Sequence, residues 1–513
     1  MLNPLAYEAF SIAQALSHFG INIDPIATKK LVNDSRLVEP DDIFAAVQGS
    51  ALNGQQFIDM AITNGAALVI AQCEHKSQHG QISTIALGAT SVQVIAFYQL
   101  AEQLKDLSAL YYNQPKQSLK VYGITGTNGK TTCSQLIAQL FEAQHQPSAI
   151  IGTLGAGRLG QLIDINNTTP GPTTLQHLFA GFVHDNIEHV AMEVSSHALS
   201  QSRVDSKMVD VAVFTNLSRD HLDFHGSMQA YQLAKRRLFE GNKQQTWVLN
   251  ADDPVSHQYV SQLPSGNPTV LFSVEPDFDV PANQQYLHAR DILCHNRGVR
   301  FSLDTSWGQA QIDSNLLGVF NVSNLLAALA VLLVQGIELK SLIKHCSNLL
   351  AVPGRMEAFT GVNQATAVVD YAHTPDGLEK ALESVKQHCL GNVWLVFGCG
   401  GDRDPGKRAI MGSIAVQHAD HVILTNDNPR TEEPQHIVND ILAGIHKTKH
   451  QQARVKVILD RQQAVLHALA QAKENDMVLC AGKGHEDYTI IGNQKLPYEE
   501  RELVRKYYLG EAS

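Results

Sequence analysis

The sequence predicts an α/β chain of three domains: a small α/β domain, a central P-loop ATPase-like parallel-sheet domain, and a C-terminal Rossmann-like α/β domain. Three observations carry that prediction. The 513 residues are about three times the roughly 100–200 of a single domain. From Lys120 onward, continuous apolar runs alternate with helical patterns, as in a parallel sheet covered on both faces. Many of those runs end in Asp, Gly, Asn or His, at the strand ends where doubly wound sheets bind ligands.

Composition narrows the class. The chain is 44% hydrophobic and 17% charged, an ordinary globular balance. A formal net charge of -11 argues against a nucleic-acid binder dominated by phosphate contacts. The cysteines (Cys73, Cys133, Cys294, Cys346, Cys389, Cys399 and Cys480) are scattered, odd in number and never in a C-x-x-C pair. That pattern fits a reducing compartment and neither a disulfide framework nor a structural zinc site. "MLNPLAYEAF" lacks the basic and apolar regions of a signal peptide. The longest apolar run, Leu325 to Val334, is about half the ~20 residues of a membrane helix. A cytoplasmic chain with no membrane span and no nucleic-acid partner is expected.

Two polar, proline-bearing joints, "YNQPKQSLK" (Tyr112 to Lys120) and "LLAVPGRME" (Leu349 to Glu357), divide the chain into 1–112, 113–352 and 353–513. In the first segment "DDIFAAVQG" and "AALVIAQC" read as strands. In the second, "KVYGIT", "HVAMEV", "VDVAVFTNL" and "WVLN" do. In the third the strands are "ATAVVDYAHT", "NVWLVFGCGGD", "HVILTNDNPR", "RVKVILD" and "MVLCAGKGHED".

"GITGTNGKTT" (Gly123 to Thr132) follows a strand and opens a helical pattern, "CSQLIAQLFEAQ". Glycines let backbone N–H groups face phosphate oxygens, the helix N-terminus adds its dipole, Lys130 adds a point charge, and a Thr hydroxyl can hold Mg²⁺. The usual G-x-x-x-x-G-K-[ST] spacing fails at Ile124, so the loop is a variant. Further on, "MEVSSH" sets Glu193 at a strand end, and "NLSRDHLDFHG" sets Asp220, His221, Asp223 and His225 past another. A hard cation bridging phosphates takes oxygen ligands and water. Glu193 offers a carboxylate and His221 a nitrogen. "DHLDFH" also fits part of a two-metal hydrolase, although no second His/Asp run completes one. His225 reads as a loop histidine. Lys235, in "YQLAKRRLF", reads equally well as a solvated helix lysine.

These motifs, in this order, resemble the Mur ligases, which build the peptide stem of bacterial peptidoglycan. The resemblance extends through "GVFNVSNLLAAL", "VPGRME", "VDYAHTPD", "FGCGGDRDPGKR", "DNPRTEEP" and "AGKGHEDY". In the first segment it rests on "DSR" and "FAAVQGSALNGQQFI" alone. It implies ATP-driven amide ligation: a substrate carboxylate takes the γ-phosphoryl group, and an amine then displaces phosphate from the acyl phosphate. The ATP positions implied are Gly126, Thr127, Asn128, Gly129, Lys130, Thr131, Thr132, Asn321, Arg355, Asp370 and His373. The last three lie on the domain that closes over ATP in this family and excludes water from the acyl phosphate. The Mg²⁺ positions implied are Thr131, Glu193, His221 and Lys235, the last as carbamylated N6-carboxylysine. Lys130, Glu193, His221 and Lys235 form the implied catalytic set.

The resemblance further implies a UDP-N-acetylmuramoyl-dipeptide substrate held by Ser35, Ser50, Ala51, Leu52, Asn167, Thr168, Thr169, Ser195, Gln201 and Arg203. By itself, "NNTTPG" (Asn166 to Gly171) reads as a polar turn. "DNPR" matches the signature of members that add meso-diaminopimelate. Arg430 would clamp its distal carboxylate, with Arg403, Asp427, Asn428, Pro429, Gly482 and Glu486 around it. A bidentate arginine suits a carboxylate, and leaving it unpaired disfavours L-lysine. A monomer is expected. Three other readings stay open: an L-lysine-adding relative, a folylpolyglutamate synthase-like ligase, and a non-catalytic nucleotide-binding scaffold. The second tends to carry Gly-Lys-Gly-Ser in its loop, and the third should have lost residues of the catalytic set.

Overall fold

A computed structural model describes residues 11–49, 53–88, 90–262, 266–280, 284–447 and 454–511. Ser50, Ala51 and Leu52, expected at the uridine end, lie outside the described residues. The fold is that of a three-domain α/β chain with a parallel-sheet central domain. By contacts it separates into two compact units, Met1–Leu249 with Asp253–Thr269, and Asn250–Asp252 with Val270–Ser513.

The first unit holds two sheets. One runs in the order Leu31–Val32, Ile43–Ala46, Leu68–Cys73, Thr90–Tyr98, Ile82–Leu87. Its pairs are parallel except the last, a hairpin whose outer strand is largely exposed. The other includes, side by side, the run Thr246–Asn250, Val211–Phe214, Lys120–Thr125, His189–Glu193, Ser148–Gly152 and Gly155–Gly157. This run is parallel up to its final antiparallel pair. Its strands are buried almost throughout, as continuous Val/Ile/Ala runs require when both faces are covered. Parallel pairing brings the carboxyl ends of Lys120–Thr125, His189–Glu193 and Val211–Phe214 to one edge. The phosphate-type loop, Glu193 and "TNLSRDH" all leave from that edge.

The expected joint at Tyr112–Lys120 is tied down. Tyr112 is buried and its hydroxyl accepts from Leu31 N at 3.0 Å. Pro115 is buried in a short 3-10 turn. Lys116 Nζ pairs with Asp210 at 2.9 Å, and the same carboxylate accepts from Val121 N at 2.7 Å. The segment connects two folded regions but is itself packed structure.

In the second unit, the antiparallel strands Gln285–His295, Gly298–Thr305 and Gly308–Ser314 precede the helix Val319–Val334, whose side chains are almost all buried. A six-stranded sheet follows in the order Glu357–Phe359, Thr366–Asp370, Met477–Ala481, Val393–Phe397, His421–Leu424, Arg454–Val457. Only its first pair is antiparallel. Helices Pro375–His388, Gly406–His418, Pro434–Lys447 and Arg461–Gln471 cross between strands. Thr374 caps the first of these, with proline at its opening turn, and Asp460 caps the last, as favours helix entry. Met477–Ala481, latest in sequence, lies between Thr366–Asp370 and Val393–Phe397, the two earliest of the parallel strands. That reversal opens the crevice at the carboxyl edge where ligands bind.

Arg461 and Glu500 anchor this unit from within. Both are buried, and the guanidinium grips the carboxylate through two bonds of 2.5 and 2.8 Å. Arg461 also donates to Asn426 O and Ala481 O, joining two of the strand-end loops. Removing one partner leaves a buried charge uncompensated. Glu500→Ala is therefore expected to lower the stability of this unit by about 3–5 kcal/mol, read as an earlier unfolding transition in urea. An unchanged transition would contradict the anchoring role.

Candidate functional site

The first cluster is built around Glu193, at the end of His189–Glu193. Its carboxylate accepts from Thr153 N at 2.8 Å, Thr131 Oγ1 at 3.0 Å and Thr153 Oγ1 at 3.2 Å. Burial raises its pKa, while Lys130 and these hydrogen bonds act in the opposite sense. A Cβ on Gly152 would overlap the Glu193 carboxylate, so only glycine leaves room for the carboxylate there.

The "NNTTPG" loop joins the same cluster. Thr168 Oγ1 lies 3.2 Å from Thr153 Oγ1. Thr169, buried, donates to Glu193 O at 2.8 Å and accepts from Ser195 N at 3.0 Å. Arg203 donates to Thr169 O at 3.1 Å. Thr169 is thus packed against the Glu193 strand end, where a polar surface turn would leave it in solvent. Asn167 bonds only through its backbone, to Ile165 O, and Gln201 is exposed. Ser195 Oγ caps the helix Ser196–Ser200. Ser35 sits apart, buried, with its hydroxyl 3.4 Å from Met60 Sδ.

The glycine-rich loop precedes the helix Lys130–Ala143, whose N-cap Gly129 takes a left-handed conformation, φ 88°. Gly126, at φ 154°, passes so close to Thr215 that a Cβ there would overlap its hydroxyl. The loop is clamped by residues after Val211–Phe214. Asn216 O accepts from Thr127 N and Asn216 Oδ1 from Asn128 N, both at 2.9 Å, while Thr215 Oγ1 donates to Asn128 O at 2.6 Å.

Lys130 Nζ donates to Gly126 O and Thr127 O, each at 2.9 Å. Lys235 Nζ donates to the same Gly126 O at 2.7 Å, and sits 4.5 Å from the Tyr231 ring centroid. Lys235 is 1% exposed on the helix Met228–Arg236. The solvated-lysine reading is therefore corrected: the "YQLAK" face packs inward, and its lysine goes with it. Burial holds this amine's pKa well below the ordinary lysine value, and Lys130 pushes the same way.

His221, at φ 52°, keeps its ring near Asp220, 3.5 Å away, and edge-on to His197 and Tyr231. His225 corrects the loop reading: it ends the short helix Leu222–His225, with Nε2 2.9 Å from Ser196 Oγ. The carboxylate and two threonine hydroxyls around Glu193 form an all-oxygen donor set. Such donors fit a hard divalent cation, and the raised Glu193 carboxyl is the group that a cation would return to its ionised form.

The second cluster, within the second unit, lies at the carboxyl edge of its six-stranded sheet. Arg430, at φ 51°, is fixed through its backbone: its N donates to Ile490 O at 3.1 Å and its O accepts from Gly492 N at 2.7 Å. Its Nη1 donates to Gly401 O at 2.7 Å. A Cβ built on Gly400 would lie 3.0 Å from Arg430 Nη1 and 3.7 Å from Arg403 Cγ, so both arginine side chains border one glycine. Asn428 Nδ2 donates to Glu486 Oε2 at 2.9 Å. Asp427 lies 3.8 Å from Lys483 and 4.0 Å from Arg461. A Cβ on Gly482 would approach Asp427 Oδ2 at 2.5 Å. Pro429 and Asn428 offer their carbonyls to Glu432 N and Gly401 N.

Arg408, buried, grips Glu432 at 2.7 and 2.9 Å and Asp440 at 2.9 Å. Glu432 in turn accepts from Asp402 N at 2.5 Å. Near the same edge Arg355 lies over the Tyr371 ring at 4.9 Å. Asp370 accepts from Met356 N at 2.7 Å, its pKa raised by burial. His373 Nδ1 is 2.7 Å from Tyr371 O. Asn321, buried, donates to Leu317 O at 2.8 Å and accepts from Asn324 at 3.0 Å.

Sequence reading missed Thr153, Thr215, Asn216, Tyr231, Arg408, Arg461, Lys483 and Glu500. Asn216 carried a signal, standing two residues past a strand end. Lys483 stood inside "AGKGHED", between two selected residues. Tyr231 opened "YQLAKRRLF", Arg408 ended "FGCGGDRDPGKR", and Thr215 followed the same strand end as Asn216; Thr153, Arg461 and Glu500 carry no local signal.

Comparison with known proteins shows the family and the fold. Family models described as "Mur ligase family, catalytic domain", "Mur ligase middle domain" and "Mur ligase, glutamate ligase domain" match residues 29–112, 124–332 and 354–484. Two curated relatives from Haemophilus influenzae strains are named "UDP-N-acetylmuramoyl-L-alanyl-D-glutamate--2,6-diaminopimelate ligase". Each is 42% identical over 479 residues, covering 93% of this chain and 96% of the relative. A solved structure with the same name is 33% identical and covers 97% of this chain and 99% of its own, with a TM-score of 0.71. A D-alanyl-D-alanyl-adding ligase from Acinetobacter baumannii, 17% identical with a TM-score of 0.65, covers 99% of each chain and shares the fold.

Lys235 gives a pH signature. Its folded amine titrates below the unfolded value of about 10.4, so between the two the unfolded chain binds the extra proton. Stability then rises with pH across that interval. In carbonate-free buffer, Lys235→Met is expected to lose part of the stability gain that the wild type shows between neutral pH and pH 9. Equal pH slopes in denaturant melts would contradict the neutral buried amine.

Proposed function

The chain belongs to the Mur ligase family, and from that premise we propose that it adds meso-2,6-diaminopimelate to the D-Glu γ-carboxylate of UDP-N-acetylmuramoyl-L-Ala-D-Glu. The reaction is ATP-dependent, forms ADP through an acyl phosphate, and belongs to peptidoglycan precursor synthesis in the cytoplasm. Residues 1–112 are read as the UDP-substrate domain, 113–352 as the ATP domain and 353–513 as the amino-acid domain, in a monomeric chain. The seven cysteines, all free, suit a reducing compartment.

The observation that carries the choice of amino acid is the pair of arginines, Arg403 and Arg430, bordering Gly400. The distal end of meso-diaminopimelate bears a carboxylate as well as an ammonium. Arg430, with Arg403, would take the carboxylate, and Glu486 and Asp427 the ammonium. L-Lysine lacks that carboxylate and would leave the guanidinium unpaired, which disfavours it. The 42% identity to relatives bearing the diaminopimelate ligase name supports the same choice over folylpolyglutamate synthase-like chemistry. All four members of the catalytic set are present, which favours an enzyme over a scaffold.

In the ATP domain, Lys130 and the N–H groups of Gly126 to Thr132 would bind the phosphates. Phosphate oxygens would replace Gly126 O and Thr127 O as acceptors for Lys130, which then neutralises charge on the phosphoryl group in transfer. Asn321, Arg355, Asp370 and His373 are assigned to the same nucleotide. Thr131, Glu193, His221 and Lys235 would hold Mg²⁺, which when bound supplies charge neutralisation at the phosphates. Asn167, Thr168, Thr169, Ser195, Gln201 and Arg203 are assigned to the UDP-dipeptide. Their hydrogen bonds to the Glu193 strand end would bring its carboxylate to the γ-phosphate, and Ser35 with Ser50 to Leu52 would take the uridine end.

Lys235 is the residue for carbamylation. Its buried, neutral amine is the form that attacks CO₂: an N–C bond forms, one proton leaves to solvent, and a carbamate oxygen ligand replaces a buried amine beside Lys130. With ¹³C-bicarbonate, the wild type is expected to show a carbamate carbon resonance that Lys235→Met lacks, and removal of CO₂ should lower activity reversibly. A signal persisting in the variant would overturn the assignment.

Arg430→Ala is expected to reduce kcat/KM for meso-diaminopimelate by about 2–5 kcal/mol of transition-state binding. The lower part of that range suits its half-buried side chain. The KM for ATP should change little. Wild-type kinetics in this variant would remove the clamp.

A further inference from the structure

Lys483 is fully buried, with a side-chain exposure of 0%. It lies just beyond the strand Met477–Ala481. Its ammonium donates to Asn428 Oδ1 at 2.8 Å, Tyr488 O at 2.9 Å and Glu486 Oε2 at 3.4 Å, with Asp427 Oδ1 a further 3.8 Å contact. Its donors are matched by acceptors drawn from two separate stretches of chain, Asp427–Asn428 and Glu486–Tyr488. Asn428 Oδ1 also accepts from Ile490 N at 2.9 Å, so two donors face that oxygen and fix the orientation of the amide. The opposite end, Nδ2, then points at Glu486 Oε2, 2.9 Å away. Lys483, Asn428 and Glu486 therefore close a ring of hydrogen bonds, in which one carboxylate oxygen, Oε2, takes both donors. Among the described residues the other, Oε1, meets only the Tyr371 hydroxyl, at 3.5 Å.

We propose that Lys483 is the positioning residue of the amino-acid pocket: it locks Asn428 and Glu486 so that Glu486 Oε1 faces the incoming ammonium. This deepens the ligase reading and rests on it. Lys483 does not touch the amino acid; it acts through Glu486 and the loop bearing Arg430. The hairpin strand Tyr488–Ile491, which it holds through Tyr488 O, also receives the Arg430 N–H through Ile490 O. One buried ammonium thus sets both poles of the zwitterion site, the carboxylate reader and the ammonium reader. Without it, Asp427 and Glu486 lose the cation they share, Asn428 Oδ1 and Tyr488 O lose a donor, and the ring opens.

The test uses the full chain in an ADP-release assay. Lys483→Met should raise the KM for meso-diaminopimelate on the order of 10–100-fold, and leave the KM values for ATP and the UDP-dipeptide within about twofold. Adding Glu486→Gln to Lys483→Met should cost far less than Glu486→Gln costs the wild type, because residues acting as a unit are non-additive. Lys483→Gln, which keeps a donor at shorter reach, serves if the methionine variant does not fold, and should recover part of the loss. A parallel rise of all three KM values, an unchanged diaminopimelate KM, or fully multiplicative effects of the two substitutions would each overturn the proposal. Wild-type protein that releases no ADP with diaminopimelate would instead remove the ligase reading itself, before any variant is compared.

Discussion

Two lysine amines share one carbonyl oxygen in this protein. Lys130 and Lys235 both donate to Gly126 O, one from the start of the helix behind the loop and one from a helix more than a hundred residues later. Like charges this close repel, and the deeper one gives way: burial and the neighbouring cation hold Lys235 toward the neutral form. The same region holds a carboxylate, Glu193, that burial pushes up. Burial thus biases both an amine and an acid near the phosphate loop toward their neutral forms. In the proposed function, a phosphate–cation complex would supply the opposite charges that favour their ionised or carbamylated forms.

The second cluster solves a different problem. A pocket for a zwitterion needs fixed charges of both signs, and fixed charges near each other tend to pair and collapse. Here each is engaged by the frame. Arg430 is held by its backbone against the hairpin and by Gly401 O. The Arg461–Glu500 pair and the Arg408–Glu432–Asp440 group pin the loops from beneath. Such networks are costly when half satisfied and rigid when complete, and in the proposed pocket that rigidity would let one guanidinium discriminate between amino acids with and without a distal carboxylate.

Much of this was legible in the sequence, and what was not has a physical reason. The parallel strands announced themselves because strands covered on both faces are continuously apolar, as in Lys120–Thr125 and Met477–Ala481. The phosphate loop was legible because Gly-Lys-Thr-Thr sits between strand and helix. Glu193 was legible as a strand-end carboxylate. Lys235 was not: a helix shows its periodicity but not which neighbours cover it, and only the packed tyrosine and loop reveal a buried amine. Thr153 and Thr131 meet Glu193 from 40 and 62 positions away, and Arg461 finds Glu500 39 positions on. No local pattern encodes such meetings. The contact-based division into two units was also unreadable, because it follows packing rather than the polar joints.

The central claim is that a carboxylate-reading pocket and a phosphate site serve one ligation. The most direct test follows ADP release and UDP-tripeptide formation with meso-diaminopimelate and L-lysine side by side, each with and without the UDP-dipeptide. ADP release that needs both the UDP-dipeptide and an amino acid, with diaminopimelate far ahead of lysine, is the predicted result. ATP turnover indifferent to either substrate, or lysine used as well as diaminopimelate, would contradict it.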